Sequence, residues 1–266
     1  MALILGIDAA WTETGSSGIA LLQTDGDQRA VRALASSYEE FLTGKPGARG
    51  APGICPNASA LVSRAKNIAG ATVDLVAIDM PMAPQRFTGR RVADDLISRN
   101  FGAHGASTHT PNATRPGLHG ERITKSFAKA GYPLATNQTQ AAGRAVVEVY
   151  PLAALVRLLN VEKRPAYKVA KMARYFGKAV PPLDKRQRID RVLKTWEQIF
   201  EALGREMSDL GFELPKPSEI KFAVELKPFE DRLDALISAW VGACVLEGRA
   251  QPYGDERCAI WVPRSQ

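Results

Sequence analysis

Five carboxylates stand in surroundings that make their charge expensive. Asp8 ends the apolar run LILGID, Asp79 ends VDLVAID, and Glu148 lies near the end of GRAVVEVYP. Asp231 and Asp234, three residues apart in EDRLDALISAWV, project from nearly one face of a helix. A carboxylate among apolar residues needs a partner or a cation. Several of them at strand ends and on one helix face can converge at one edge of a sheet, where their repulsion calls for a divalent metal. Hard oxygen ligands of this kind select Mg²⁺ or Mn²⁺. Two such ions about 4 Å apart activate a water and stabilise the leaving oxygen of a phosphodiester. The plainer reading of any one acid is a salt bridge or, for Asp231, a helix cap complementing the positive end of the dipole.

Other chemistry-bearing residues carry less. His104, His109 and His119 fall in a Gly/Thr-rich stretch with neither helical nor zinc spacing, and read as solvated loop histidines. Asp94, in RRVADDLISR, reads as an exposed helix salt bridge, and Trp11 as packing. Between Arg157 and Lys194 twelve Lys or Arg face three acids, a local net of +9 against +7 for the whole chain. Lys168, Lys171 and Arg174, interleaved with Tyr167, Tyr175 and Phe176, are the candidate contacts to nucleic acid, through phosphate pairing and base stacking; a solvated basic face is the alternative. No GxxxxGK[ST] or GxGxxG occurs. Cys55, Cys244 and Cys258 form no CxxC and no even framework, which suits a reducing compartment.

The elements that must position these acids are readable in outline. LILGID, SSGIALLQT and RAVRALASS predict three consecutive strands, the first two a hairpin. GKPGARGAPG is a loop, NASALVSRAKNIAG a helix capped by Asn57 and stopped by Gly70, and VDLVAIDMP a buried strand. GRRVADDLISRNF predicts a helix, GRAVVEVYP a strand, LAALVRLL a short helix, and DRVLKTWEQIFEALGREMSDLG an amphipathic helix. LPKPSE is a linker, a helix runs on from Phe229, and CAIWVP is a closing strand. Strands first, then helix, strand, strand and a final helix make an α/β domain with a mixed sheet. Segments 83–142 and 156–227 read as insertions.

Four motifs, GIDAAW, AIDMP, VEVYP and EDRLDALISAW, with GRRVAD and GYPL between them, resemble in order and spacing those of domain-of-unknown-function family 429. That family is grouped with the RNase H-like superfamily as predicted nucleases. The last motif also resembles the DxxDAL helix of RuvC-type resolvases. The resemblance implies a single RNase H-like domain whose helix-flanked mixed sheet carries two largely helical insertions. It implies that Asp8 bridges two metals, that Asp79 binds one, and that Asp231 or Asp234 supplies the last ligand. Glu148 has no equivalent among the usual superfamily ligands.

The totals fit this reading. A chain of 266 residues with 45% hydrophobic and 24% charged residues is an ordinary globular protein, and +7 with a pI near 9.4 favours an anionic partner. MALILGIDAA lacks the basic lead of a signal peptide, and the longest apolar run is too short to span a membrane, so the expected location is the cytoplasm. The expected function is a metal-dependent nuclease. The alternatives are an actin-like phosphotransferase, against which AIDMPMAP offers no second Gly-rich loop, and a nucleic-acid-binding protein without catalysis.

Overall fold

The computed structural model describes residues 1–12, 14–47, 57–139 and 143–265. The expected hairpin forms: β1 (Ala2–Asp8) pairs antiparallel with β2 (Gly18–Asp25), and β3 (Gln28–Ala35) adds antiparallel to β2. β4 (Leu75–Asp79) lies parallel to β1, and β5 (Ala145–Val149) parallel to β4. β6 (Ala250–Gly254) and β7 (Ala259–Pro263) form an antiparallel pair, and β7 joins β5 in parallel. The order β3-β2-β1-β4-β5-β7-β6 is one mixed seven-stranded sheet. With helices on both faces this is an α/β fold, consistent with the RNase H-like arrangement that the motifs imply.

β1, β4 and β5 are central, and their residues are buried on both faces, which is why they read as continuous apolar runs rather than as alternating patterns. One face is covered by α1 (Tyr38–Thr43), α2 (Ala58–Ala69) and α4 (His119–Lys129), through Tyr38, Leu61, Ala65 and Phe127 against Leu3, Leu5, Ile7, Val76, Ile78 and Val146. The other is covered by α5 (Pro151–Leu158), α7 (Lys185–Glu206) and α8 (Lys227–Leu246), packed on Ile4, Leu75, Ala77 and Val147. α3 (Val92–Phe101) packs on β6 and β7. The segments read as insertions, 83–142 and 156–227, hold α3 and α4, and a short α6 (Met172–Phe176) and α7.

Local rules explain most boundaries. The Asn57 side chain accepts the Ser59 N–H, and Gly70 ends α2 at φ 69°. α7 starts earlier than the periodicity suggests, because Asp184 and Gln187 form a reciprocal capping box, and it ends at Glu206, before MSDLG. The elements not foreseen include α1, which is only six residues long, α4, which falls in the stretch read as a Gly/Thr-rich loop, α6, and β6, whose Pro252 masks an edge strand. Residues 48–56 of the Gly/Pro-rich loop, with Cys55, lie outside the described residues. Among the described residues no helix is long and apolar enough to cross a membrane.

α8 is apolar nearly all round and lies against β1, β2 and β4. It comes so close that glycine is required beneath it. A Cβ on Gly18 would sit 1.9 Å from the Asp231 carbonyl oxygen, and one on Gly6 2.4 Å from the Ala235 carbonyl oxygen. Gly242 makes the reciprocal approach from the helix toward Ile4 and Ala77. Gly18→Ala must therefore push the helix off the sheet. The expected loss is about 3 kcal/mol or more, as for other overpacked cores, read as a fall in melting temperature; an unchanged melt would mean that the close approach does not hold the fold.

Candidate active site

Strand register brings the first two acids together. Asp8 and Asp79 are direct partners across the parallel β1–β4 pair, at the carboxyl ends of both strands, where open α/β sheets bind ligands. Alternation along the strands sets their face: Ile4, Gly6 and Asp8 on β1, and Leu75, Ala77 and Asp79 on β4, lie on the side covered by α8. From that side the first turns of α8 present Glu230, Asp231 and Asp234, all fully or almost fully buried. The carboxylates of Asp8, Asp79, Asp231 and Asp234 thus converge, as the sequence suggests. Glu230 is a fifth member that the sequence reading missed, although the pattern Glu230, Asp231, Asp234 repeats at one and four residues along one helix face.

Glu148 does not join them. Its register partner on β4 is Ile78, so its side chain falls on the opposite face of the sheet. There it forms a two-pronged ion pair with Arg91, at 2.6 and 2.7 Å, and accepts the Met82 N–H at 2.8 Å. Arg91 also grips Asp94 at 2.9 Å, so Asp94 belongs to a buried ion-pair network rather than to the exposed bridge expected of it. Through Met82, Glu148 ties down the turn that follows Asp79.

Two lysines enter the acidic cluster. Lys168 contacts Asp234 Oδ2 and lies 4.0 Å from Glu230; Lys227 lies 3.0 Å from Glu230 and 2.5 Å from Asp231. Tyr167, expected to stack on bases, is instead fully buried, with its hydroxyl donating to Asp234 Oδ1 at 2.6 Å. Lys168, expected to contact phosphate, sits within the acid cluster. Asp8 and Asp79 differ from the helix acids. Among the described residues neither carboxylate has a hydrogen bond or an ion pair, and both feel Lys168 only at longer range.

The electrostatics follow from burial. Asp8 and Asp79 are half-buried by surface area but densely surrounded, and desolvation is the main force on both. It raises the Asp8 carboxyl well above the usual range, with repulsion from Asp234 adding to it and Lys168 opposing. It raises Asp79 to about 7, against the pull of Lys168. Burial also raises Asp231 and Asp234, offset chiefly by Lys227 and Lys168 respectively. Lys168 is itself held well above its ordinary value: desolvation works against its charge, but Asp234 outweighs it.

Asp8, Asp79 and Glu230 line the floor of a cleft of about 730 Å³, with Asp231 and Asp234 fully buried on α8. Lys171, Arg174 and Arg164 stand on its wall with Tyr150 and Tyr175, and Trp11, His109 and Arg115 also line it. Arg115 lies over the Trp11 ring at 5.5 Å, and Arg164 over Tyr175 at 5.9 Å. Trp11 is therefore a packing residue that also faces the cleft. Of the other histidines, His104 bonds the Glu162 carbonyl through Nδ1, and His119 begins α4. Phe176 packs against the core, with Arg191 over its ring.

A family model described as protein of unknown function (DUF429) matches residues 6–257. The chain belongs to the DUF429 family. No curated protein and no solved structure matches it significantly. In this DUF429 chain the match runs from within β1 to the β6–β7 turn, and so includes Asp8, Asp79, Glu230, Asp231 and Asp234.

Among the described residues no group of three or more His, Cys, Asp and Glu is arranged to hold a metal ion. Asp231 and Asp234 contact the ammonium groups of Lys227 and Lys168, while Asp231 Oδ2 is buried without a hydrogen bond among the described residues. The Asp8–Asp79 pair still suits one hard cation, because Mg²⁺ is commonly held by one or two carboxylates with water and substrate oxygens completing its shell.

A stability test separates this arrangement from a structural ion pair. Without metal, folded Asp79 keeps its proton up to about pH 7, whereas the unfolded chain releases it near the ordinary 3.8. Folded protein therefore binds more protons across that window, and its stability falls as pH rises through it. Asp79→Asn abolishes the loss, and Asp8→Asn acts in the same direction. In chelator both variants should melt a few degrees above the parent near pH 8 and level with it near pH 4. Destabilisation by about 3–5 kcal/mol would instead mark a broken buried ion pair.

Proposed function

We propose that the chain is a divalent-metal-dependent hydrolase of phosphodiester bonds in nucleic acid, with Mg²⁺ or Mn²⁺ held by Asp8 and Asp79. The observation that carries this reading is the register pairing of two carboxylates, neither with a cation of its own, at the floor of a basic-walled cleft. When bound, the ion supplies Lewis-acid activation of water and neutralises charge at the phosphate. The chain's own residues do the rest. Lys171, Arg174 and Arg164 pair with phosphates of the strand and set its path toward the floor. Trp11 and Tyr175 line the cleft beside these cations and are the candidates for contact with bases. In hydrolysis the water oxygen bonds to phosphorus and gives up a proton, the bond to the leaving oxygen breaks, and that oxygen takes the electron pair and, in the net reaction, a proton.

The phosphotransferase reading draws no support. The chain after Asp79 runs into buried Met80 and Met82 around Pro81, with no glycine to cradle a phosphate. The non-catalytic binding reading has one observation in its favour: the lysines already neutralise the helix acids. Cleavage assays decide between it and the nuclease. The parent should cleave at least one of single-stranded, duplex and hybrid substrates in Mg²⁺ or Mn²⁺. Asp8→Asn and Asp79→Asn should each lose on the order of 1000-fold, the scale of removing a charge-stabilising group from a reaction centre. No metal-dependent cleavage by the parent on any of the three would sink the nuclease reading and leave binding alone.

Binding itself has a separate test. Lys171→Glu together with Arg174→Glu should weaken affinity for all sequences alike and lower the slope of log affinity against log salt by about 2, roughly one for each lost phosphate contact. An unchanged slope would make this stretch a solvated face.

A further inference from the structure

We infer that the cleft takes a single divalent ion, on Asp8 and Asp79, and that the Lys168 ammonium is a fixed positioning cation in place of a second metal. This rests on the metal-dependent reading above but changes its content, since the family resemblance implies two ions, with Asp231 or Asp234 as a ligand.

The position of Lys168 is built rather than incidental. The residues on either side of it are pinned to the surrounding core. Tyr167 donates its hydroxyl to Asp234 at 2.6 Å, and its carbonyl accepts the Trp196 indole N–H at 2.8 Å. The Val169 N–H donates to Glu230 Oε2 at 2.5 Å. Between these anchors the Lys168 ammonium meets Asp234, lies within reach of Glu230, and rests 5.0 Å from the Tyr167 ring centre. Both Asp234 oxygens are thereby occupied, one by an ammonium and one by a phenol. A metal on Asp234 would have to displace a lysine that three hydrogen bonds at its neighbours hold in place. Lys168 also lines the cleft, with about a quarter of its side chain exposed, so it is within reach of whatever enters there. A cation fixed beside Asp8 and Asp79 can offset charge on a bound phosphate without an ion of its own.

The test counts ions, with Mn²⁺ alone as the probe, by calorimetric titration and by EPR of free Mn²⁺ at about pH 8. The parent should bind one ion per chain. Asp234→Asn should still bind one, because Asp234 is not a ligand. Lys168→Met frees a carboxylate and should bind two, while Lys168→Arg should remain at one. If Lys168→Met fails to fold, Lys168→Met with Asp234→Asn removes both charges and should return to one ion. Cleavage at saturating Mn²⁺ should fall on the order of 100-fold in Lys168→Met and be largely rescued in Lys168→Arg. Two ions on the parent, or loss of an ion in Asp234→Asn, would overturn the inference and leave the metal-dependent reading standing. A single ion on a folded Lys168→Met would also overturn it. No Mn²⁺ on the parent would remove both.

Discussion

The near-contact between α8 and the sheet governs this molecule. Backbone meets backbone where Gly6 and Gly18 lack side chains, and the helix is drawn down until Asp231 and Asp234 have no exposure left. Carboxylates in that position cannot rely on water. Their charge is retained only because ammonium groups and a phenol have been brought in with them. The segment that delivers Lys168 and Tyr167 is fastened by the same helix, through Glu230 and Asp234. Helix, sheet and inserted segment are thus interlocked at one spot, and that spot is the cleft floor.

The two faces of the sheet solve the same electrostatic problem differently. On one, Glu148 and Asp94 share Arg91, and both acids are buried. That network is finished: its acids have their partners, and its output is mechanical, holding the turn after Asp79 through the Met82 N–H. On the other face the acids outnumber the lysines. Asp8 and Asp79 are left with raised proton affinities and an open approach from the cleft. Incomplete neutralisation beside an entrance distinguishes a site that can accept a cation from one that only supports the fold. The basic wall completes the contrast, since an acidic floor alone would repel a phosphate.

Much of this was legible in the residues. Apolar runs ended by Asp8 and Asp79 announced buried strands with acids at their tips, and the i, i+3 spacing of Asp231 and Asp234 placed both on one helix face. Those signals are local, because strand and helix periods are properties of a few consecutive residues. The mixed sheet and its first hairpin followed from the same patterns. The edge strand β6 and the early start of α7 were weaker signals, since a proline and a capping box act outside hydrophobic periodicity.

Which acids would share a site was not local. Glu148 and Asp79 end similar apolar strands, and only the register of β4 against β5, offset by one residue from the pairing that would align them, sends Glu148 to the far face. Nor does any pattern in the basic stretch distinguish Lys168 from Lys171. The first is held inside the acid cluster and the second lines the wall because Tyr167 and Val169 are anchored to side chains more than sixty residues away. The sequence by itself determined that acids would end buried strands and sit on one side of a buried helix, for those are matters of period and composition. Tertiary structure alone decided which of them are neutralised and which stay open, because charge pairing depends on distances across the sheet that no local spacing encodes.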